Sequence, residues 1–197
     1  GHFLLVQLLL PQLLAAEAKG AQPRIILVGS TFFYAHEAFD FGEAVAVTNA
    51  DARQDFLARP FQLFHAYGQS KLASMLFIVE LSRRLADRGS RIPANAVHPG
   101  QCTTEVQRDM HPFIVAGSAF FRPILLAFLK TARQGALNTV HAALAPELAT
   151  SDSASGGLSG SFLLRMQPAR LTAASTDQEA ARRIWDVAMK LTAAPEW

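Results

Sequence analysis

Arg24-Ile25-Ile26-Leu27-Val28 is a continuous β-branched and aliphatic run bounded by Pro23 and by Gly29-Ser30. A run that is apolar at every position, rather than at alternate ones, suits a central strand of a parallel sheet covered on both faces. Downstream, residues 65–88 carry a helical period, with Leu72, Met75, Leu76, Val79 and Leu85 along one stripe. Glu80, Arg83, Arg84 and Asp87 fall largely elsewhere on that helix, and Gly89 ends it. Ile92-Pro93-Ala94-Asn95-Ala96-Val97 reads as a second strand, weakened at its start by Pro93 and running into the turn signal His98-Pro99-Gly100. Strand, helix and strand in that order imply a right-handed parallel crossover, and with it an α/β fold.

The flanks extend the same pattern. Residues 2–18 have apolar residues at helical spacing and close on Lys19-Gly20, which predicts a buried helix that tolerates Pro11 as a kink. Residues 31–64 show no sustained period and read as a long connection with short local elements. Residues 131–144 read as a helix, 156–164 as a strand, 151–157 as a surface loop and 177–191 as a charged amphipathic helix.

Bulk properties narrow the classes of function. The chain has 197 residues, half of them apolar, enough for one core and too few for two ordinary domains. Its formal charge of +2 comes from scattered lysines and arginines, without the basic runs that would mark a nucleic-acid partner. The one cysteine, Cys102, cannot form an internal disulfide, which is compatible with the cytosol or a cytosol-facing membrane surface. The apolar stretch 113–129 is interrupted by Arg122-Pro123 and is shorter than the roughly 20 residues a membrane-spanning helix needs.

Three places carry chemistry. Tyr67-Gly68-Gln69-Ser70-Lys71 sets a phenol and an ammonium four residues apart, on one face of the long helix. A free tyrosine is a poor acid or base at neutral pH, and a cation a few ångströms away favours its phenolate. By itself the pair also describes a partly exposed aromatic beside a surface lysine. Ser30 stands just past a strand's C-terminal end, where open α/β sheets bind ligands, although a serine there is commonly a turn residue or helix cap. His98-Pro99-Gly100-Gln101-Cys102-Thr103-Thr104 follows the second strand, where a rigid turn and a glycine let backbone approach a flat ligand. His36, His65, His98, His111 and His141 are dispersed and lack metal-ligand spacing, so no metal site is assigned.

Taken in order, Ser30, Tyr67-x-x-x-Lys71 continuing as Leu72-Ala73, and Asn95-Ala96-Val97-His98-Pro99-Gly100 resemble the short-chain dehydrogenase/reductase family. Within it, the retinol-dehydrogenase-like and WW-domain-oxidoreductase-like branch is most similar. Gly1-His2-Phe3-Leu4-Leu5, Gln134-Gly135-Ala136, Pro146-Glu147-Leu148 and Ser159-Gly160-Ser161-Phe162 add to the likeness. The resemblance implies a Rossmann-type doubly wound parallel sheet and direct hydride transfer between a nicotinamide cofactor, NADP or NAD with NADP favoured, and a hydrophobic alcohol or carbonyl such as a retinoid, steroid or lipid aldehyde. It implies Tyr67 as proton donor and acceptor, Lys71 as its tuner and ribose ligand, and Ser30 as the group orienting the substrate oxygen. Tyr67 as well as Lys71 would be cofactor-binding, and Pro99, Gly100, the backbone near Cys102, and Thr104 would line the nicotinamide. Residues 105–130 would be the variable substrate loop, and the family allows a peripheral membrane contact and a homodimer through the long helix.

The family's TGxxxGxG loop, its Asn-Asn-Ala-Gly strand end and its catalytic asparagine have no counterpart here. The resemblance therefore implies that residues 1–197 are the C-terminal, catalytic part of one such domain, and that alone they bind cofactor poorly. The alternative is a truncated or non-catalytic relative serving as an interaction module.

Overall fold

A computed structural model describes residues 1–42, 58, 60–100, 130–152 and 157–195. Helix α1 (His2–Ala18) leads into strand β1 (Ile25–Val28) and a 3₁₀ turn (Thr31–Ala35). Helix α2 (Leu63–Asp87) precedes β2 (Ala94–His98), and α3 (Ala132–Leu144) precedes β3 (Phe162–Leu164). A short hairpin adds β4 (Gln167–Pro168), and α4 (Gln178–Thr192) closes the described chain. β1 pairs parallel with β2 and β2 parallel with β3, while β4 runs antiparallel on the far side of β3. The α/β class and the parallel β1–α2–β2 unit expected from the sequence are therefore present.

Alternation along the strands sends side chains to two cores. Ile25, Leu27, Ala94 and Ala96 point into the larger one, with Leu72, Met75, Leu76, Leu81 and Leu85 of α2 and Trp185 of α4. Ile26 and Val97 meet the other, with Ala142 of α3 and Leu148. Helices on both faces make the three layers of a doubly wound sheet. Arg24 anchors α3 to β1 by donating to the Ala142 and Ala145 carbonyls, at 3.1 and 2.8 Å, which satisfies acceptors left open at the helix end. The carboxylate of Glu17 ties α1 to the turn after α2, accepting from the Ser90 hydroxyl and the Arg91 amide.

Four expectations need correction. β1 is not central among the described strands; it lies at the edge of the order β1-β2-β3-β4, and Val28 is half exposed. Helix α1 forms as expected, but only Gln7 and Leu10 are buried while Leu5, Leu8 and Leu9 stay half exposed. It is apolar around its whole circumference, and the described elements cover one side of it. Glu80 is on no solvated face: it is 1% exposed, with both carboxylate oxygens held by Arg83 and one also by Arg84. The predicted strand over 156–164 shortens to Phe162–Leu164, because Ser159 and Asn95 side chains replace part of the backbone ladder beside β2.

Candidate functional site

In a parallel crossover the helix runs back against its strands, so the N-terminal turns of α2 lie at the C-terminal ends of β1 and β2. The register places Val28 beside Val97 and His98 beside Leu164, which brings the segments leaving all three parallel strands to one edge. That edge carries Ser30, the 98–100 turn and, on α2, Tyr67 and Lys71.

Ser30 is buried and extended, and its Oγ accepts from the Phe32 amide at 3.4 Å, capping the 3₁₀ turn. An oxygen that accepts in this way keeps its own hydrogen to donate elsewhere. Gly29 lies under the Phe162 ring; a Cβ there would stand 3.2 Å from Cε2, close enough that the ring would have to give. Tyr67 is 40% exposed, and among the described residues its hydroxyl has no hydrogen-bond partner. Its ring meets Phe32 edge to face at 5.2 Å, so the segment begun by Ser30 touches the tyrosine directly. Lys71 Nζ stands 5.4 Å from the Tyr67 ring centroid, one helical turn on. Ser70 donates to the Tyr67 carbonyl at 2.7 Å and is thereby turned back into its own helix.

A cavity of about 290 Å³ opens at the same edge, lined by Thr31, His98, Gly100, Lys130, Leu164 and Arg165. Gly100 has φ of +95°, a conformation that favours glycine, and a Cβ there would lie 2.9 Å from the Lys130 side chain. Burial pushes the His98 imidazole below the ordinary histidine value; the Gly29 carbonyl opposes this and Lys130 adds to it. The cavity thus joins the segment after β1 to the turn after β2, though Ser30, Tyr67 and Lys71 do not line it. Bare glycine backbone and two flanking cations are compatible with a flat, anionic dinucleotide. Cys102, Thr104 and the expected substrate loop up to residue 129 lie outside the described residues. A larger cavity of about 360 Å³ lies at the other end of α2, against α1 and α4, and contains none of these residues.

Sequence reasoning missed Asn138. Its Nδ2 donates to the His98 carbonyl at 2.7 Å and the Leu163 carbonyl at 2.9 Å, and its Oδ1 accepts from the Met166 amide at 2.7 Å. It fixes the ends of β2 and β3, and therefore the start of the 98–100 turn. Its place on the inner face of a predicted helix was the only available signal. Among the described residues no cluster of His, Cys, Asp or Glu could hold a metal ion, and no helix is long and apolar enough to cross a membrane.

No family model matches the chain. Among curated proteins it is 34% identical to a polyprenol dehydrogenase of Mus musculus, an alignment covering 98% of this chain and 51% of that protein. It is 31% identical to retinol dehydrogenase 14 of Homo sapiens, covering 95% of this chain and 48% of that one. Of solved structures, an uncharacterized protein from Mycobacterium paratuberculosis superposes with a TM-score of 0.61 at 26% identity, over 99% of this chain and 57% of that one. Ordered motifs, doubly wound sheet and these relatives agree: over nearly its whole length the chain is similar to dehydrogenases of the short-chain dehydrogenase/reductase family. It spans about half the length of the curated relatives it matches.

Proposed function

We propose that the protein is a nicotinamide-dependent oxidoreductase that interconverts a hydrophobic alcohol with its aldehyde or ketone, with residues 1–197 forming the catalytic part of one domain. The observation that carries the reading is the Tyr67 hydroxyl, without a hydrogen-bond partner among the described residues, beside Lys71 and in ring contact with the segment that Ser30 begins. Tyr67 gives its proton to the substrate oxygen in reduction and takes it back in oxidation. Lys71 supplies positive charge on the same helix face, favouring the phenolate that remains. Ser30 uses the hydrogen not engaged by Phe32 to hold the substrate oxygen toward Tyr67. Pro99, Gly100, Cys102 and Thr104 hold the nicotinamide end of the cofactor, which supplies or accepts the hydride.

The exposed aromatics around Tyr67 support an apolar substrate. Phe32 and Phe64 stack at 6.0 Å and both are open to solvent. They would meet the hydrocarbon beside the reacting carbon. Relatives named for polyprenol and retinol support the same class. NADP or NAD as the cofactor, a homodimer through α2 and a peripheral membrane contact belong to this reading as well.

The test is consumption of NADPH and NADH by the full-length gene product with aldehydes of rising chain length. Turnover with kcat/KM increasing with length is expected; no turnover with any of them contradicts the reading. The interaction-module alternative draws on exposed Leu5, Leu8, Leu9 and Val28. It gains if cofactor neither binds nor turns over.

A further inference from the structure

Gln69, two residues after the exposed Tyr67, is only 2% exposed. Its amide is matched to the segment that follows β1. Oε1 accepts from the Asp40 amide at 2.8 Å, while Nε2 donates to the Ala38 carbonyl at 3.1 Å and contacts Nδ1 of His36 at 3.1 Å. The Asp40 donor and the Ala38 acceptor decide which end of the Gln69 amide is oxygen, because a reversed amide would oppose like to like. With Nε2 the donor, Nδ1 of His36 is the acceptor, which assigns His36 the neutral tautomer with its proton on Nε2. The imidazole lies against Gly68, where a Cβ would stand 2.1 Å from Nε2 of His36 and 3.1 Å from the Phe32 carbonyl. The glycine directly after Tyr67 is the opening that receives this ring.

We propose that His36, Gln69 and Gly68 form a clamp that positions residues 30–40 against the Tyr67 turn of α2, and that it closes only while His36 is neutral. None of the three touches reacting atoms; they are positioning residues, and their catalytic consequence rests on the oxidoreductase reading above. Protonation would set an Nδ1 hydrogen against the Gln69 NH₂. Either the amide turns, losing Asp40 and Ala38, or the imidazole leaves Gly68. In both cases Ser30 and Phe32 lose their fixed relation to Tyr67.

Among the described residues, the titratable groups near His36 are His65 on α2, with ring centroids 5.0 Å apart, Tyr67 beside Gly68, and Glu37 and Asp40 on its own segment. Burial first, and His65 second, hold His36 below the ordinary histidine value. The clamp is therefore closed at neutral pH and opens in acid.

The experiment is NMR of the chain across pH, reading the His36 ring nitrogens and the exchange protection of the Asp40 amide. At neutral pH Nδ1 should lack a proton, and Asp40 protection should fall with the His36 titration. His36→Asn keeps a non-titrating acceptor near the Nδ1 position and should make that protection independent of pH. His36→Ala should lose it throughout. In the full-length enzyme, kcat/KM should fall about tenfold per pH unit below the His36 midpoint, and this acid limb should be absent in His36→Asn. Nδ1 protonated at neutral pH, or Asp40 protection in His36→Ala equal to wild type, overturns the clamp. A titrating Asp40 amide in a protein that turns over no nicotinamide substrate keeps the clamp and removes the oxidoreductase reading.

Discussion

Asn138 of α3 holds the His98 carbonyl at the end of β2, and the same amide group holds Leu163 and Met166 around β3. One buried side chain thus sets the distance between two strand ends, from one of which the 98–100 turn departs. Asn138→Ala leaves two carbonyls and an amide short of a partner. Its expected cost is about 3 kcal/mol, seen as a lower denaturant midpoint with unchanged slope. A cost below the error of the measurement would mean that the strand ends are held without it.

Glu80 is the second buried polar group with a measurable consequence. Burial alone raises its carboxyl, but hydrogen bonds from Arg83 and Arg84 outweigh that and hold it below the ordinary carboxylate value. A depressed folded value means that the stabilisation is complete above the unfolded carboxylate range and is lost as pH falls through the folded value. Glu80→Gln is expected to cost about 3 kcal/mol at neutral pH, and less in acid. Urea denaturation of both proteins at several pH values checks the convergence.

Gly68 and His36 should show coupling. Gly68→Ala alone collides with the imidazole and should destabilise by about 1–3 kcal/mol. In a His36→Ala background the collision with the ring is gone and only the Phe32 carbonyl, 3.1 Å away, still crowds the added Cβ, so the cost should shrink toward zero. A double-mutant cycle by thermal or urea denaturation measures the difference; equal effects in both backgrounds would show that the ring does not occupy that opening.

The parts of the fold legible in the sequence are those where one local signal dominates. The aliphatic run before Ser30 gave β1, the stripe from Leu72 to Leu85 gave α2, and Pro99-Gly100 gave the turn after β2. Thr131 and Gln134 mark the start of α3 with a reciprocal capping box, and Asp177 caps α4. The illegible parts depend on partners distant in the chain. Glu80 looks solvated until both arginines turn back onto it. Gln69 looks like a surface residue inside the Tyr67/Lys71 motif until Asp40 and His36 arrive from the preceding connection. The edge position of β1 cannot be read from β1 itself, since an aliphatic strand looks alike at an edge and at a centre. The candidate site was legible through order along the chain: Ser30, Tyr67 and Lys71 are brought to one end of the sheet by the crossover, whereas the Asn138 support behind them was not.

Tyr67 is proposed above to exchange the proton of the reaction. The direct measurement of this role is turnover of the full-length protein and its Tyr67→Phe variant under identical cofactor and aldehyde concentrations, with cofactor affinity determined for both. The substitution removes one hydroxyl that has no partner among the described residues, so stability should hardly change. The expected result is a fall in kcat of about 10²–10⁴-fold. A variant that turns over at the wild-type rate contradicts it.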